Sequence, residues 1–196
     1  MANRALNLPN ILTYGRIIAV PLVVLCFFVD GKLQSSDFAR WSALVIFIAA
    51  SVTDYFDGYL ARAWQQQSNI GRMLDPIADK LLVSTCLLLL AADTDRTIAG
   101  WSLWAAIIIL CREILVSGLR EYLAELKVSV PVTRLAKWKT TIQMVAIAVL
   151  LAGPALDKMI SYATETGIAL LWVSALVTLY TGYDYFRAGL KHIMEE

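Results

Sequence analysis

Uncharged, apolar stretches recur along the chain at residues 17–29, 41–53, 81–92, 97–111, 140–156 and 166–183. Only the last two approach the roughly 20 residues that a helix rising about 1.5 Å per residue needs to cross a bilayer. The first four reach that length when extended into polar sequence: back through Thr13 and Arg16, on through Asp54 and Asp57, back through Asp75 and Asp79, and on through Arg112. The pattern predicts an all-α polytopic membrane protein, six transmembrane helices in a single membrane domain over residues 1–196. Four of those helices then carry charge at membrane depth, where ionisable residues are rare and mark function by default. Breaks are expected at Asp30-Gly31-Lys32, Ser68-Asn69-Ile70-Gly71, residues 93–95, Ser129-Val130-Pro131 and Gly153-Pro154. Asn10 or Thr13 is the expected cap of the first helix, and Pro21 inside it is tolerable in a membrane. The first run ends at Asp30-Gly31 without a small-x-small site, so it reads as a span and not as a cleaved signal.

Composition agrees with the pattern. Hydrophobic residues make up 59% and charged residues 17%, against about 45–50% and about 25% in soluble domains. Seventeen Lys and Arg against 16 Asp and Glu leave a net charge of +1, which excludes the basic footprint of a nucleic-acid binder. With six spans both termini share a side. Only Lys32, Arg40, Arg96 and Lys158 fall at one set of helix ends and the other Lys and Arg at the opposite set, so the positive-inside rule puts both termini in the cytoplasm. Cys26, Cys86 and Cys111 each sit in apolar sequence without metal-ligand or disulfide spacing and read as small buried hydrophobes. His192, in the polar tail, reads as a solvated residue.

The chemistry gathers between Asp54 and Asp79, where the spacing is D-x2-D-G-x2-A-R-x8-G-x3-D-x3-D. On a helix Asp54 and Asp57 share a face with Gly58 and Ala61, and on the next helix Gly71, Asp75 and Asp79 share another. A short turn makes the two helices antiparallel neighbours, so four carboxylates can meet. A single Asp at mid-membrane costs about 2.5–3.5 kcal/mol, and Arg62 alone cannot offset four of them. Oxygen ligands without His or Cys select hard cations such as Mg²⁺, Mn²⁺ or Ca²⁺, and the number of carboxylates suits two ions sharing ligands, as in phosphoryl displacement. Gly58 and Gly71 leave room for a polyphosphate to approach the helix backbone. Two other readings fit carboxylates in a membrane: an ion-pair cluster that only joins helices, and a cation or proton pathway. The first calls for balanced signs without adjacent glycines, and the second for acids strung across the bilayer.

These fixed positions are those of the signature of the CDP-alcohol phosphotransferase family, which the chain resembles over essentially its whole length. Asn7-Leu8-Pro9-Asn10-Ile11-Leu12-Thr13 with Arg16, Arg112-Glu113-Ile114 with Ser117-Gly118-Leu119-Arg120-Glu121, and Lys137-Trp138-Lys139-Thr140-Thr141 with Gln143-Met144 look like its bacterial members that use glycerol 3-phosphate. The resemblance implies a six-helix fold, usually homodimeric, in the bacterial cytoplasmic membrane with the active site open to the cytoplasm. It implies that Asp54, Asp57, Asp75 and Asp79 hold two Mg²⁺ or Mn²⁺ ions and that Asp79 is also the general base. Gly58, Ala61, Arg62 and Gly71 would line the pocket for the CDP of CDP-diacylglycerol, and the hydroxyl of glycerol 3-phosphate would displace CMP.

A phosphate-bearing acceptor needs fixed cations. Arg112, after a long uncharged run, is the clearest candidate, with Glu113 as its possible counter-ion and Arg120 two turns on. Lys137 and Lys139 are either further phosphate ligands or positive-inside anchors, and as i, i+2 neighbours on a helix they cannot both face one pocket. Thr13 and Arg16 share a helix face that either reaches the diphosphate and nucleotide or anchors the helix end.

Overall fold

In the computed structural model, residues 8–29, 32–33, 36–63, 69–126 and 134–194 are described, with their side chains except at 8–9, 29, 32–33, 55–63, 69–70, 72, 125, 134–137 and 188–194. The chain runs α1 (Leu8–Phe27), β1 (Phe28–Val29), β2 (Lys32–Leu33), α2 (Asp37–Ala63), α3 (Asn69–Ala92), α4 (Ser102–Glu125), α5 (Arg134–Asp157) and α6 (Ala163–Met194). The strands are two residues each and pair antiparallel between α1 and α2. Everything else regular among the described residues is helix, as the hydrophobic pattern predicts. Four segments are long and apolar enough to cross a membrane: Asn10–Phe27, Ser102–Ala124, Trp138–Asp157 and Ala163–Arg187. Helices α2 and α3, with 27 and 24 residues, have the length but carry the acidic residues.

Helices α1 and α2 bury charged or polar side chains among apolar ones and expose large apolar residues. On α1, Asn10, Thr13, Arg16, Ala19, Val23 and Phe27 are buried at spacings of three and four, while Ile11, Ile18, Leu22 and Leu25 are exposed. On α2 the buried stripe is Ala39, Arg40, Ala43, Phe47 and Ala50, and Trp41, Val45, Ile48 and Val52 are exposed. Small residues on the buried stripes let α1 pack closely on α2 and α3. Exposed Leu, Ile and Val at helical spacing is the surface that a lipid environment accepts and water does not.

The described chain forms two compact units. One comprises the chain through Thr97 with residues 147–164, and the other comprises residues 98–146 with the chain from Glu165 onward. The first therefore holds α1, α2, α3 and the second half of α5. The second holds α4, the first half of α5 and nearly all of α6.

Several boundaries differ from the sequence pattern, each for a visible reason. Asn10 and Thr13 are not caps, because α1 is already helical at Leu8 and both side chains are buried inside it. Asn69 and Gly71 belong to the first turn of α3 and not to a linker. The fourth apolar run begins at Thr97 but its helix begins at Ser102, since the Thr97 amide and hydroxyl are both taken by Asp93. The break expected at Gly153-Pro154 is present as a kink: Gly153 is non-helical, at φ 31° and ψ −118°, and a further helical segment runs on to Asp157. There the Asp157 carboxylate accepts from the Thr164 amide at 2.9 Å and the Thr164 hydroxyl at 2.5 Å, capping the start of α6. The expected break at Ser129-Val130-Pro131 lies outside the described residues.

Candidate active site

Within the first unit, residues of α1 contact three of the four motif aspartates on α2 and α3. Thr13 and Arg16 lie one turn apart on α1, Asp54 lies on α2, and Asp75 and Asp79 lie one turn apart on α3. Arg16 Nη1 donates to Asp54 Oδ1 at 2.6 Å and to Asp79 Oδ1 at 2.9 Å. The Thr13 hydroxyl donates to Asp75 Oδ1 at 2.5 Å. The three carboxylates are close enough to repel one another, and among the described residues Arg16 is a cation acting on Asp54 and Asp79.

Burial is uneven across this group. The Arg16 side chain is fully buried, while those of Asp54 and Asp79 are 42% and 51% exposed. Arg16 thus holds the partly exposed carboxylates of Asp54 and Asp79 from the buried side. Among the described side chains in these contacts, one guanidinium faces three carboxylates, which offer oxygen donors. That donor set fits a hard divalent cation. Among the described residues no three acidic, His or Cys side chains close into a finished metal cage. What the carboxylates turn toward is Arg16 and Thr13.

The backbone of α2 carries Asp57, Gly58, Ala61 and Arg62 on the turns after Asp54, and their side chains lie outside the described ones. Gly71 is buried in the first turn of α3, one turn before Asp75. Thr13 and Arg16, expected near a nucleotide or diphosphate, are thus bonded directly to the acidic residues.

A second polar cluster lies in the other unit. Arg112 on α4 donates from Nε to the Thr178 carbonyl at 3.2 Å and from Nη2 to the Thr181 hydroxyl at 3.3 Å, both on α6. Its Nη1 stands 3.6 Å from Glu113, whose closer partner is the buried Lys139 of α5. Glu113 is therefore chiefly the counter-ion of Lys139. Arg120, two turns along α4, places its guanidinium 5.7 Å from the centre of the Tyr185 ring, within cation–π range. Arg112, Arg120 and Lys139 are near enough to repel one another, so three of the four expected acceptor cations share one field. Lys137 lies in the first turn of α5, and its side chain is outside the described ones.

Sequence reasoning missed the α6 side of this cluster. Thr178, Thr181 and Gly182 read as part of an apolar span, yet a Cβ on Gly182 would stand 3.1 Å from Arg112 Cγ and 3.3 Å from its Nε. The glycine lets the arginine stem lie against the helix. The spacing of Thr178, Thr181 and Gly182 on one helix face was the available signal. Arg40 was counted only among the charges at the outer set of helix ends, and its burial at 1% exposure was not foreseen.

The profile of the CDP-alcohol phosphatidyltransferase family matches residues 6–180. A Rickettsia bellii protein named CDP-diacylglycerol–glycerol-3-phosphate 3-phosphatidyltransferase is 45% identical over 95% of this chain and 97% of its own. Proteins of the same name from Cereibacter sphaeroides and Escherichia coli K12 are 40% and 41% identical, each over 97% of this chain and 98% of their own. With a family profile matching residues 6–180 and likeness to these relatives over nearly its whole length, the chain belongs to the CDP-alcohol phosphatidyltransferase family.

Proposed function

We propose that this protein transfers the phosphatidyl group of CDP-diacylglycerol to glycerol 3-phosphate, releasing CMP and forming phosphatidylglycerophosphate. The observation that carries the reading is the convergence of Asp54, Asp75 and Asp79 on Arg16 and Thr13, in a chain whose relatives are named for that reaction.

The acceptor hydroxyl attacks the phosphorus on the lipid side of the pyrophosphate. A new P–O bond forms, the P–O bond to CMP breaks, and the hydroxyl proton passes to Asp79. Asp79 suits that role because its carboxylate is half exposed and is oriented from behind by Arg16. Asp54, Asp57, Asp75 and Asp79 would hold two divalent cations, Mg²⁺ or Mn²⁺, which supply electrostatic stabilisation for the charge developing on the leaving CMP. Gly58, Ala61, Arg62 and Gly71 line the CDP pocket. Thr13 and Arg16 support it through the carboxylates they hold.

The acceptor's phosphate carries about two negative charges, and Arg112, Arg120 and Lys139, with Lys137 in the preceding turn, form the cationic group that receives it. A guanidinium held by a carbonyl and a hydroxyl can exchange those neutral partners for phosphate oxygens.

The same reading takes the chain as a single membrane domain of six spans in the bacterial cytoplasmic membrane. Both termini and the active site are cytoplasmic, and the protein works as a homodimer among membrane lipids. Purified protein supplied with CDP-diacylglycerol and a panel of glycerol 3-phosphate, inositol phosphate, serine and phosphatidylglycerol should release CMP with the first. Preference for another acceptor would move the protein elsewhere in the family, and nucleotide-independent ion movement would make it a transporter.

A further inference from the structure

Away from the acidic motif, the first unit contains a second buried charge network, centred on Arg40. Its Nη2 donates to Asp93 Oδ2 at 2.6 Å, Asp95 Oδ2 at 2.9 Å and Thr97 Oγ1 at 3.0 Å. Its Nη1 donates to the carbonyls of Leu150 and Leu151 at 3.5 and 3.4 Å. Arg40 and Asp93 are 1% and 2% exposed. Asp93 also accepts from the Thr97 amide at 2.9 Å and hydroxyl at 2.7 Å, so both of its oxygens are engaged.

The carbonyl contacts follow from the kink in α5. Pro154 has no N–H to give the Leu150 carbonyl four residues back, and the turn at Gly153 disrupts the next bond in the ladder. Arg40 approaches both carbonyls. It can do so because residue 153 has no side chain: a Cβ there would stand 3.1 Å from Arg40 Nη1. Arg40 therefore joins the first turn of α2, the residue that follows α3, and the kink of α5.

Its placement along the helices links it to the reaction. Asp54 lies fourteen residues after Arg40 on α2, and Asp93 lies fourteen residues after Asp79 at the end of α3. At about 1.5 Å per residue both intervals span about 21 Å. Two antiparallel rails of equal length are thus pinned at one end by Arg40–Asp93 and at the other by Arg16 bridging Asp54 and Asp79. Sliding α2 against α3 would break both pins together.

We propose that Arg40 is a positioning residue for phosphatidyl transfer, fixing the longitudinal register of α2 against α3 and so the placement of Asp54 relative to Asp79. The inference rests on the reading that these two aspartates do the chemistry. A residue that only stabilised the fold could be lost at constant turnover per folded molecule, whereas a register pin cannot.

The test uses the full-length protein in detergent and in vesicles, with nitroxides on the exposed positions Val52 and Ile77 in a background without Cys26, Cys86 and Cys111. Arg40→Met and Arg40→Lys should broaden or shift the distance between the labels and lower kcat at least about tenfold. KM for glycerol 3-phosphate should change less than about twofold. Leu171→Ala, in the other unit and fully buried, serves as the destabilised control and should leave the distance and kcat per folded molecule unchanged. If Arg40→Met does not fold, Asp93→Asn keeps the shape while removing the charge and should move the same two readouts in the same direction. Asp79→Asn tests the reading of the site separately, since it should lower turnover without moving the labels. An unchanged label distance in folded Arg40 and Asp93 variants, or a loss of kcat no greater than that of Leu171→Ala at matched melting temperature, would overturn the inference.

Discussion

Lys139 on α5 donates to the carboxylate of Glu113 on α4, and this pairing leaves Arg112 with a carbonyl and a hydroxyl as its nearer partners. Removing Lys139 alone leaves the largely buried Glu113 carboxylate to the more distant Arg112, so a Lys139→Ala variant should lose both stability and acceptor binding. Removing both charges separates the two effects. Lys139→Met with Glu113→Leu should recover the melting temperature of the wild type but keep a raised KM for glycerol 3-phosphate. Recovery of KM along with stability would make Lys139 a neutraliser of Glu113 and no part of the acceptor site.

Chelation should abolish CMP release, and Mg²⁺ or Mn²⁺ should restore it where Zn²⁺ does so poorly, because the donors are carboxylate oxygens. Asp54→Ala and Asp75→Ala should both remove turnover. They should also weaken Mn²⁺ binding measured directly by electron paramagnetic resonance, a readout independent of activity. Full CMP release in excess chelator would remove the metals from the reading.

Asp79→Asn keeps the volume and one oxygen while removing the base. Turnover should fall by about 10²–10⁴, the usual contribution of general base catalysis, while CDP-diacylglycerol still binds. The Arg16 contact at 2.9 Å is to a single oxygen of Asp79, so an amide oxygen can retain it and the variant should stay folded. Wild-type turnover would place the base elsewhere.

The chain's polarity pattern made the helices legible because each apolar run is interrupted by Gly, Pro or charge, and those interruptions mark most turns. It failed where a tertiary partner replaced a local one. Gly153-Pro154 did mark a break, the kink of α5, but did not reveal that Arg40 supplies donors to the carbonyls beside it. Thr97 looked like the start of a span, but Asp93 takes its amide. The acidic motif was legible from spacing alone, since Asp75 and Asp79 at i, i+4 must share a helix face. The partners of Arg112 were not, because Thr178, Thr181 and Gly182 lie 66 to 70 residues away on another helix, and one-dimensional spacing carries no information on which helices touch.

Arg112 gives the sharpest test of the acceptor assignment. Its guanidinium is held between α4 and α6 by the Thr178 carbonyl and the Thr181 hydroxyl, with its stem against Gly182. A fork fixed in this way can grip a phosphate through two parallel hydrogen bonds that an ammonium cannot reproduce. Arg112→Lys should therefore raise the KM for glycerol 3-phosphate at least about tenfold, roughly 1.4 kcal/mol of binding, and change the KM for CDP-diacylglycerol little. Gly182→Ala should act in the same direction without altering any charge, because its Cβ would press on the arginine stem at 3.1 Å. Arg120→Ala should also raise the acceptor KM, but less, since its guanidinium rests over the Tyr185 ring. If Arg112→Lys instead impairs the KM for CDP-diacylglycerol and spares that of the acceptor, Arg112 serves the pyrophosphate, and the phosphate of glycerol 3-phosphate must be sought on other cations.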